Sequence, residues 1–193
     1  MFAQLRPTLV LLALFTVLTG VAYPLAVTLL AQTLAPAGAQ GSLIIRNGTV
    51  VGSSLIGQAF AGAGYLAPRP SAGAYTADPS SGSNLAPTNS ALQKAVAERA
   101  AAYRAANAAE PPIDAVTTSA SGLDPDISPL NAFSQAVRIA AARGATPGQV
   151  MAVLRAEVRG PWLGLFGQSR VNVLAANVAL DAALPKASAG AKQ

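Results

Sequence analysis

LVLLALFTVLTGVAYPLAVTLL, residues 9–30, carries no charged side chain. At about 1.5 Å of rise per residue, a helix of about 22 residues crosses a hydrocarbon core of about 30 Å, for which ~20 suffice. The stretch reads as one transmembrane helix. Its flanks set a direction, because Arg6 is the only charged side chain before it and Arg46 is the next one after it. A positive flank on the N-terminal side keeps that end in the cytoplasm and carries everything after Leu30 across the membrane. The competing reading is a cleaved signal peptide, with Arg6 in its n-region and Ala37-Gly38-Ala39 as the cleavage motif. The apolar run exceeds the ~7–15 residues of such a signal and Ala37 lies far past its centre, so a retained anchor is expected. Tyr23-Pro24 interrupts the helical hydrogen-bond ladder and predicts a kink. Thr16, Thr19 and Gly20 form a stripe of little bulk on which a second membrane helix could pack, although such residues are also ordinary in membrane helices.

The composition agrees with a membrane setting. Of 193 residues, 52% are hydrophobic and only 11% charged, which excludes a mainly disordered chain. The length leaves room for one compact domain beside the anchor. There is no histidine and no cysteine, which removes Ser/His/Asp and Cys/His nucleophilic machinery, zinc fingers and disulfides. The net charge is +5, but the 13 basic residues are scattered from Arg6 to Lys192 without a cluster that could track phosphates. Nucleic acid is therefore not an expected partner.

Beyond a linker at residues 31–41, β-prone runs at Ser42-Leu43-Ile44-Ile45-Arg46 and Thr49-Val50-Val51-Gly52 flank Asn47-Gly48, the strongest short-range signal for a hairpin. From Ser53 to Asn89 the chain is rich in Gly, Pro, Ser and Asn. The apolar residues within it (Leu55, Ile56, Phe60, Tyr65, Leu66, Tyr75 and Leu85) favour an ordered, packed loop. Amphipathic helices follow. Ser90-x-x-Gln93 reads as a capping box, opening a helix to about Ala109 with Leu92, Val96 and Tyr103 on one side. Ser128 caps the next, with Pro129 first, a stripe of Phe133, Val137 and Ala140, and Gly144 as terminator. Thr146-Pro147-x-Gln149 starts a third, carrying Val150, Val153, Leu154 and Val158, and a fourth covers residues 172–184. Residues 113–118 are a candidate strand. The expected fold is α+β: one N-terminal transmembrane helix, then a single compact extracytoplasmic domain with a β-hairpin and three to four amphipathic helices. The boundaries are a cytoplasmic N-terminus at 1–8, the span at 9–30, the domain at 42–185 and a flexible tail at 186–193.

Without His or Cys, general acid/base chemistry would fall to carboxylates. Asp124 and Asp126 are the only close pair among eight acidic residues, just ahead of the helix that Ser128 opens. They are candidates for a membrane-anchored extracytoplasmic enzyme or binding protein; the plainer reading is that they cap the helix and complement its dipole. Ser80-Ser81-Gly82-Ser83-Asn84 and Ser119-Ala120-Ser121-Gly122 have the small residues of backbone anion nests, but neither matches a phosphate-binding P-loop. Arg69, Gln168, Arg170, Asn172 and Asn177 sit in glycine- and proline-punctuated stretches, where they read as internal struts or as contacts to a partner.

Taken in order, these motifs form a recognisable set: Leu5-Arg6-Pro7, Thr19-Gly20 with Tyr23-Pro24, Ser54-Leu55-Ile56-Gly57-Gln58-x-Phe60 and Gly64-Tyr65-x-x-x-Arg69-Pro70-Ser71-Ala72. Ser81-Gly82-Ser83-Asn84-Leu85, Ala120-Ser121-Gly122-Leu123-Asp124, Ile127-Ser128-Pro129 and Gly167-Gln168-x-Arg170-Val171-Asn172-Val173 complete it. Over nearly its whole length the chain resembles the C-subunit family of the bacterial Kdp high-affinity potassium-transporting P-type ATPase. The resemblance implies a non-catalytic accessory subunit in the cell inner membrane. Its implied partners are a P-type ATP-hydrolysing subunit, a potassium-channel-like subunit, a small membrane subunit and the lipid bilayer. It also implies a catalytic chaperone that raises ATP affinity, with a nucleotide contact at Ser119, Ser121, Gly122 and Asp124. A domain displayed outside could not meet cytoplasmic ATP there, so direct contact and a clamp acting through the channel-like subunit stand as alternatives. Partner contacts are expected at Thr16, Gly20, Tyr23 and Pro24 in the span and at Arg69, Ser81, Asn84, Gln168, Arg170 and Asn172 in the domain.

Overall fold

The computed structural model describes residues 2–185, so the tail expected at 186–193 lies outside the described residues. The chain divides into two compact units, Met1–Val51 and Gly52–Gln193.

In the first unit a short 3-10 turn precedes α1 (Leu5–Val17), and a π-helical turn, Leu18–Ala22, joins it to α2 (Tyr23–Leu34). Together they form one apolar helix of 30 residues, Leu5–Leu34, long and apolar enough to cross a membrane. It outruns the expected span 9–30 at both ends and takes up the first residues of the expected linker. The disturbance expected at Tyr23-Pro24 takes the form of the π turn. Pro24 lacks an N–H and its ring crowds the carbonyl one turn back. The ladder widens there, and the Tyr23 N–H donates to Leu18 O, five residues away. A single helical turn, α3 (Pro36–Ala39), leads into the hairpin of β1 (Leu43–Arg46) and β2 (Thr49–Ser53). Asn47 and Gly48 take φ of 50° and 77°, the positive values a type I′ turn requires.

After the last two residues of β2, the second unit continues as a long loop, Ser54 to Asn89, without helix or strand. The elements after it are α4 (Ser90–Asn107), α5 (Ile113–Val116), β3 (Asp126–Ile127), α6 (Pro129–Ser134), α7 (Ala136–Arg143), α8 (Pro147–Ala156), β4 (Val158–Arg159), β5 (Arg170–Asn172) and α9 (Val173–Ala183). The three short strands pair antiparallel in the order β3-β5-β4, with Asp126 opposite Asn172 and Arg159 opposite Arg170. Leu66 from the loop, Ile127, Ile139, Val150, Leu154, Val171 and Leu180 form the dry centre.

Four local expectations are corrected. Residues 113–116 form a helical turn, not a strand, because Pro112 is an extended N-cap and Asp114 occupies the first turn, where a carboxylate favours helix. The cap of α4 is Asn89, whose side chain accepts the Ala91 N–H, so the capping box expected from Ser90 does not form. The helix after Ser128 is interrupted at Gln135, and its buried face is Ala132, Ala136, Ile139, Ala140 and Arg143, while Val137 is exposed. Val158 belongs to β4, since α8 ends at Ala156. The remaining caps form as read: Ser128 accepts the Asn131 N–H, Gly144 closes α7 at φ 66°, and Thr146 and Gln149 make a reciprocal capping box.

The loop is ordered by polar side chains that serve its backbone. Asn177 Oδ1 accepts the Leu66 N–H at 2.7 Å while its Nδ2 donates to Leu66 O at 3.0 Å. Gln135 does the same at Ala67, accepting from its N–H at 2.8 Å and donating to its carbonyl at 3.2 Å. The fully buried Arg143 guanidinium donates to Gly64 O, Leu180 O, Leu184 O and Asp181, and lies 5.3 Å from the Tyr65 ring centroid. Arg138 reaches Ala63 O and Tyr65 O, and burial pulls its guanidinium below the ordinary value. Leu66 and Phe60 join the core as expected, whereas Leu55, Ile56 and Leu85 stay exposed.

Candidate functional site

Asp124 and Asp126 lie at a cleft of about 300 Å³ that Arg69, Asp114, Gln168 and Arg170 help to line. The β3–β5 pairing puts Asp126 beside Asn172, and the loop strut Arg69 arrives from the other side. Arg69 Nη1 donates to Asp124 Oδ2 at 2.8 Å, and its Nη2 donates to Thr118 O at 3.2 Å. The other Asp124 oxygen accepts the Asp126 N–H at 3.0 Å, a local turn that only a short acceptor side chain makes. Asp126 is tied at both oxygens, to Arg170 Nε at 3.0 Å and to Asn172 Nδ2 at 3.1 Å. Asn172 also donates to Ser54 O and caps α9 by accepting the Ala175 N–H. Asp114 accepts from the Ser128 N–H and hydroxyl and from Asn131 Nδ2. Each carboxylate at the cleft is thus spent on an ion pair or on backbone and side-chain donors. These ties fix the carboxylates in place, while the Asp124 and Asp126 side chains remain 30% and 27% exposed at the cleft. The expected helix-capping role of Asp124 and Asp126 is replaced by these ties, because Ser128 itself caps α6.

The two glycine-rich stretches read separately in the sequence meet here. A Cβ on Gly122 would sit 2.7 Å from Ser81 O, and one on Gly82 would sit 2.9 Å from Ala120 O. Ser80 Oγ donates to Ser121 O at 3.1 Å across the same seam. Ser121 Oγ accepts the Leu123 N–H, the Gly122 N–H returns to Ser119 O, and the Ser81 hydroxyl donates to Gly82 O. Asn84 takes φ 53° and lies 3.4 Å from Ser81 Oγ. The glycines allow backbone to press on backbone.

Of the remaining candidates, Gln168 is exposed at the cleft mouth, and Thr16, Gly20, Tyr23 and Pro24 are exposed on the apolar helix. The Thr19 hydroxyl donates to Phe15 O within its own helix at 2.7 Å, so only its methyl is left to pack. Sequence reasoning missed Asp114, Gln135, Arg138 and Arg143. For Arg143 a signal existed: it follows Ala136 and Ile139 at helical spacing, which puts it on the buried face.

The fold and the cleft define a chain with one apolar helix of membrane-spanning length ahead of an α+β domain whose acidic cluster is committed to internal ties. The family described as KdpC, K+-transporting ATPase, c chain, matches residues 5–182, and the chain belongs to it. Among its relatives, a potassium-transporting ATPase KdpC subunit of Cereibacter sphaeroides is 58% identical over 95% of this chain and 99% of its own length. KdpC subunits of Caulobacter sp. and Variovorax paradoxus are 56% and 55% identical, covering 96% and 92% of this chain and 96% and 95% of their own lengths.

Proposed function

We propose that this chain is a non-catalytic accessory subunit of an ATP-driven, high-affinity potassium importer. On this reading it holds the assembly together and raises the ATP affinity of the hydrolysing subunit. The observation that carries the reading is the family match over residues 5–182, which takes in most of both units. The carboxylates at the cleft support it further, because Asp124 and Asp126 each serve ties within the domain.

The helix Leu5–Leu34 packs against the channel-like subunit through Thr16, Gly20, Tyr23 and Pro24. Residues 1–8 stay in the cytoplasm and residues 42–185 are displayed outside, on the strength of Arg6. The clamp is the favoured mechanism. Ser119, Ser121 and Gly122 are engaged in the seam with residues 80–82, and outward display separates them from cytoplasmic ATP. An effect on nucleotide affinity then requires that the domain contact two pump states unequally, with Arg170 and Gln168 at the cleft mouth as contact residues.

Co-purification of the tagged chain with a potassium-stimulated ATPase, followed by protease digestion from each membrane side, tests the proposal. Recovery of the ATPase and cleavage from outside only are expected. Cleavage of the domain from inside only, or turnover by the chain alone, would overturn it.

A further inference from the structure

The connection between β4 and β5 is Pro161-Trp162-Leu163-Gly164-Leu165-Phe166-Gly167, and its side chains face outward. Trp162, Leu163, Leu165 and Phe166 are 68%, 70%, 81% and 62% exposed. The two rings touch, with centroids 5.8 Å apart. An apolar group of this size on a soluble surface marks a contact with something apolar.

The turn chemistry makes the same point by contrast within one chain. At the first hairpin, φ values of 50° and 77° fall on Asn47 and Gly48, the residues such a turn favours. At this tip nearly the same values, 52° and 74°, fall on Leu163 and Gly164. A leucine pays backbone strain in the left-handed region, where asparagine would not, and here it is displayed to the outside.

The tip also meets the requirement for entering lipid. Trp162 N–H donates to Phe166 O at 2.8 Å and Phe166 N–H donates back to Trp162 O at 3.0 Å. Gly164 N–H bonds Pro161 O and Leu165 N–H bonds Trp162 O, each at 3.1 Å. The N–H groups of Trp162, Gly164, Leu165 and Phe166 and the carbonyls of Pro161, Trp162 and Phe166 are therefore satisfied within the tip, which lowers the cost of leaving water. Behind the tip, Arg159 and Arg170 face each other across the β4–β5 pair. Only Arg170 has Asp126 to balance it among the ion pairs of the described residues. At about 3.3 Å per residue the two cations lie roughly 10 Å behind the apolar side chains, the depth of headgroup phosphates. Tryptophan is itself enriched at that boundary.

We propose that the β4–β5 tip is a second membrane contact of this chain: Trp162, Leu163, Leu165 and Phe166 insert into the bilayer interface while Arg159 meets lipid phosphates. A domain carried on a membrane helix is held within reach of the surface, so a small apolar wedge suffices.

Trp162 is the chain's single tryptophan and reports on the tip directly. The full-length chain is reconstituted into phosphatidylethanolamine–phosphatidylglycerol vesicles, with and without lipids brominated on their acyl chains. Expected are blue-shifted emission and loss of about half the intensity to the lipid-borne quencher, as for an interfacial indole. The double variant Leu163→Asn with Leu165→Ser should lose most of that quenching at an unchanged melting temperature. Water-like emission indifferent to bromine, or quenching that survives the double variant, would overturn the proposal. So would a blue shift that develops only when the channel-like subunit is added, without lipid quenching, which would give the tip a protein partner.

Discussion

The Asn177 carboxamide pairs with Leu66 as a β-strand neighbour would, accepting from its N–H and donating to its carbonyl, with both residues buried. A loop without secondary structure needs such a substitute wherever it passes through the core, because an orphaned buried backbone group costs ~1–3 kcal/mol. Asn177→Leu removes both bonds at similar volume. It should destabilise the protein by about 2–4 kcal/mol, read from the denaturation midpoint, and should expose the loop to protease before the helices melt.

Gly122 and Gly144 share positive φ, 68° and 66°, but differ in surroundings. A Cβ at Gly144 meets nothing within 4 Å, whereas one at Gly122 strikes the Ser81 carbonyl. Gly144→Ala should cost about 1 kcal/mol from backbone conformation alone. Gly122→Ala should cost roughly 2–4 kcal/mol, since two backbones must part. Paired chemical melts measure the difference, and any fall in ATP affinity of the complex caused by Gly122→Ala should accompany that loss of stability.

Burial raises the Tyr75 and Tyr103 hydroxyls above their ordinary value of 10.0. For Tyr103 the Asp114 charge adds to the rise, while the Ser134 hydrogen bond and Arg138 oppose it. Above the unfolded value the native state keeps protons that the unfolded chain has lost, so the slope of stability against pH is negative there. The contribution of these tyrosines should be complete below about pH 10 and be lost as pH climbs through the raised native values. Denaturation midpoints across that range, with tyrosinate absorbance followed in parallel, check the sign. Tyr75→Phe should flatten part of the alkaline loss.

Gly20 lies in the π turn with nothing within 4 Å of where a Cβ would be. Gly20→Leu should therefore leave the isolated chain's helix content unchanged while weakening assembly in the membrane. A loss of about tenfold in recovered complex corresponds to ~1.4 kcal/mol and is the expected scale. Size-exclusion chromatography of the detergent-extracted complex measures it; full recovery would remove Gly20 from the packed face.

The sequence is readable where neighbours along the chain decide a conformation. Asn47-Gly48 makes its turn, Ser128 and Thr146 cap their helices, Gly144 ends one, and the uncharged run becomes a helix. It is opaque where the deciding partner is distant. Nothing near Asp124 in the chain announces Arg69, and nothing near Arg143 announces Gly64. The central sheet escapes because its strands are two or three residues long, too short for alternation to register. The two glycine stretches were visible as unusual, but the reason, contact with each other, exists only in three dimensions.

The most direct measurement is the ATP dependence of potassium-stimulated hydrolysis by the importer assembled with and without this chain. A raised KM for ATP or a collapsed assembly in its absence, together with no hydrolysis by the chain alone, is the expected result. An intact complex with unchanged KM and turnover would contradict the accessory role.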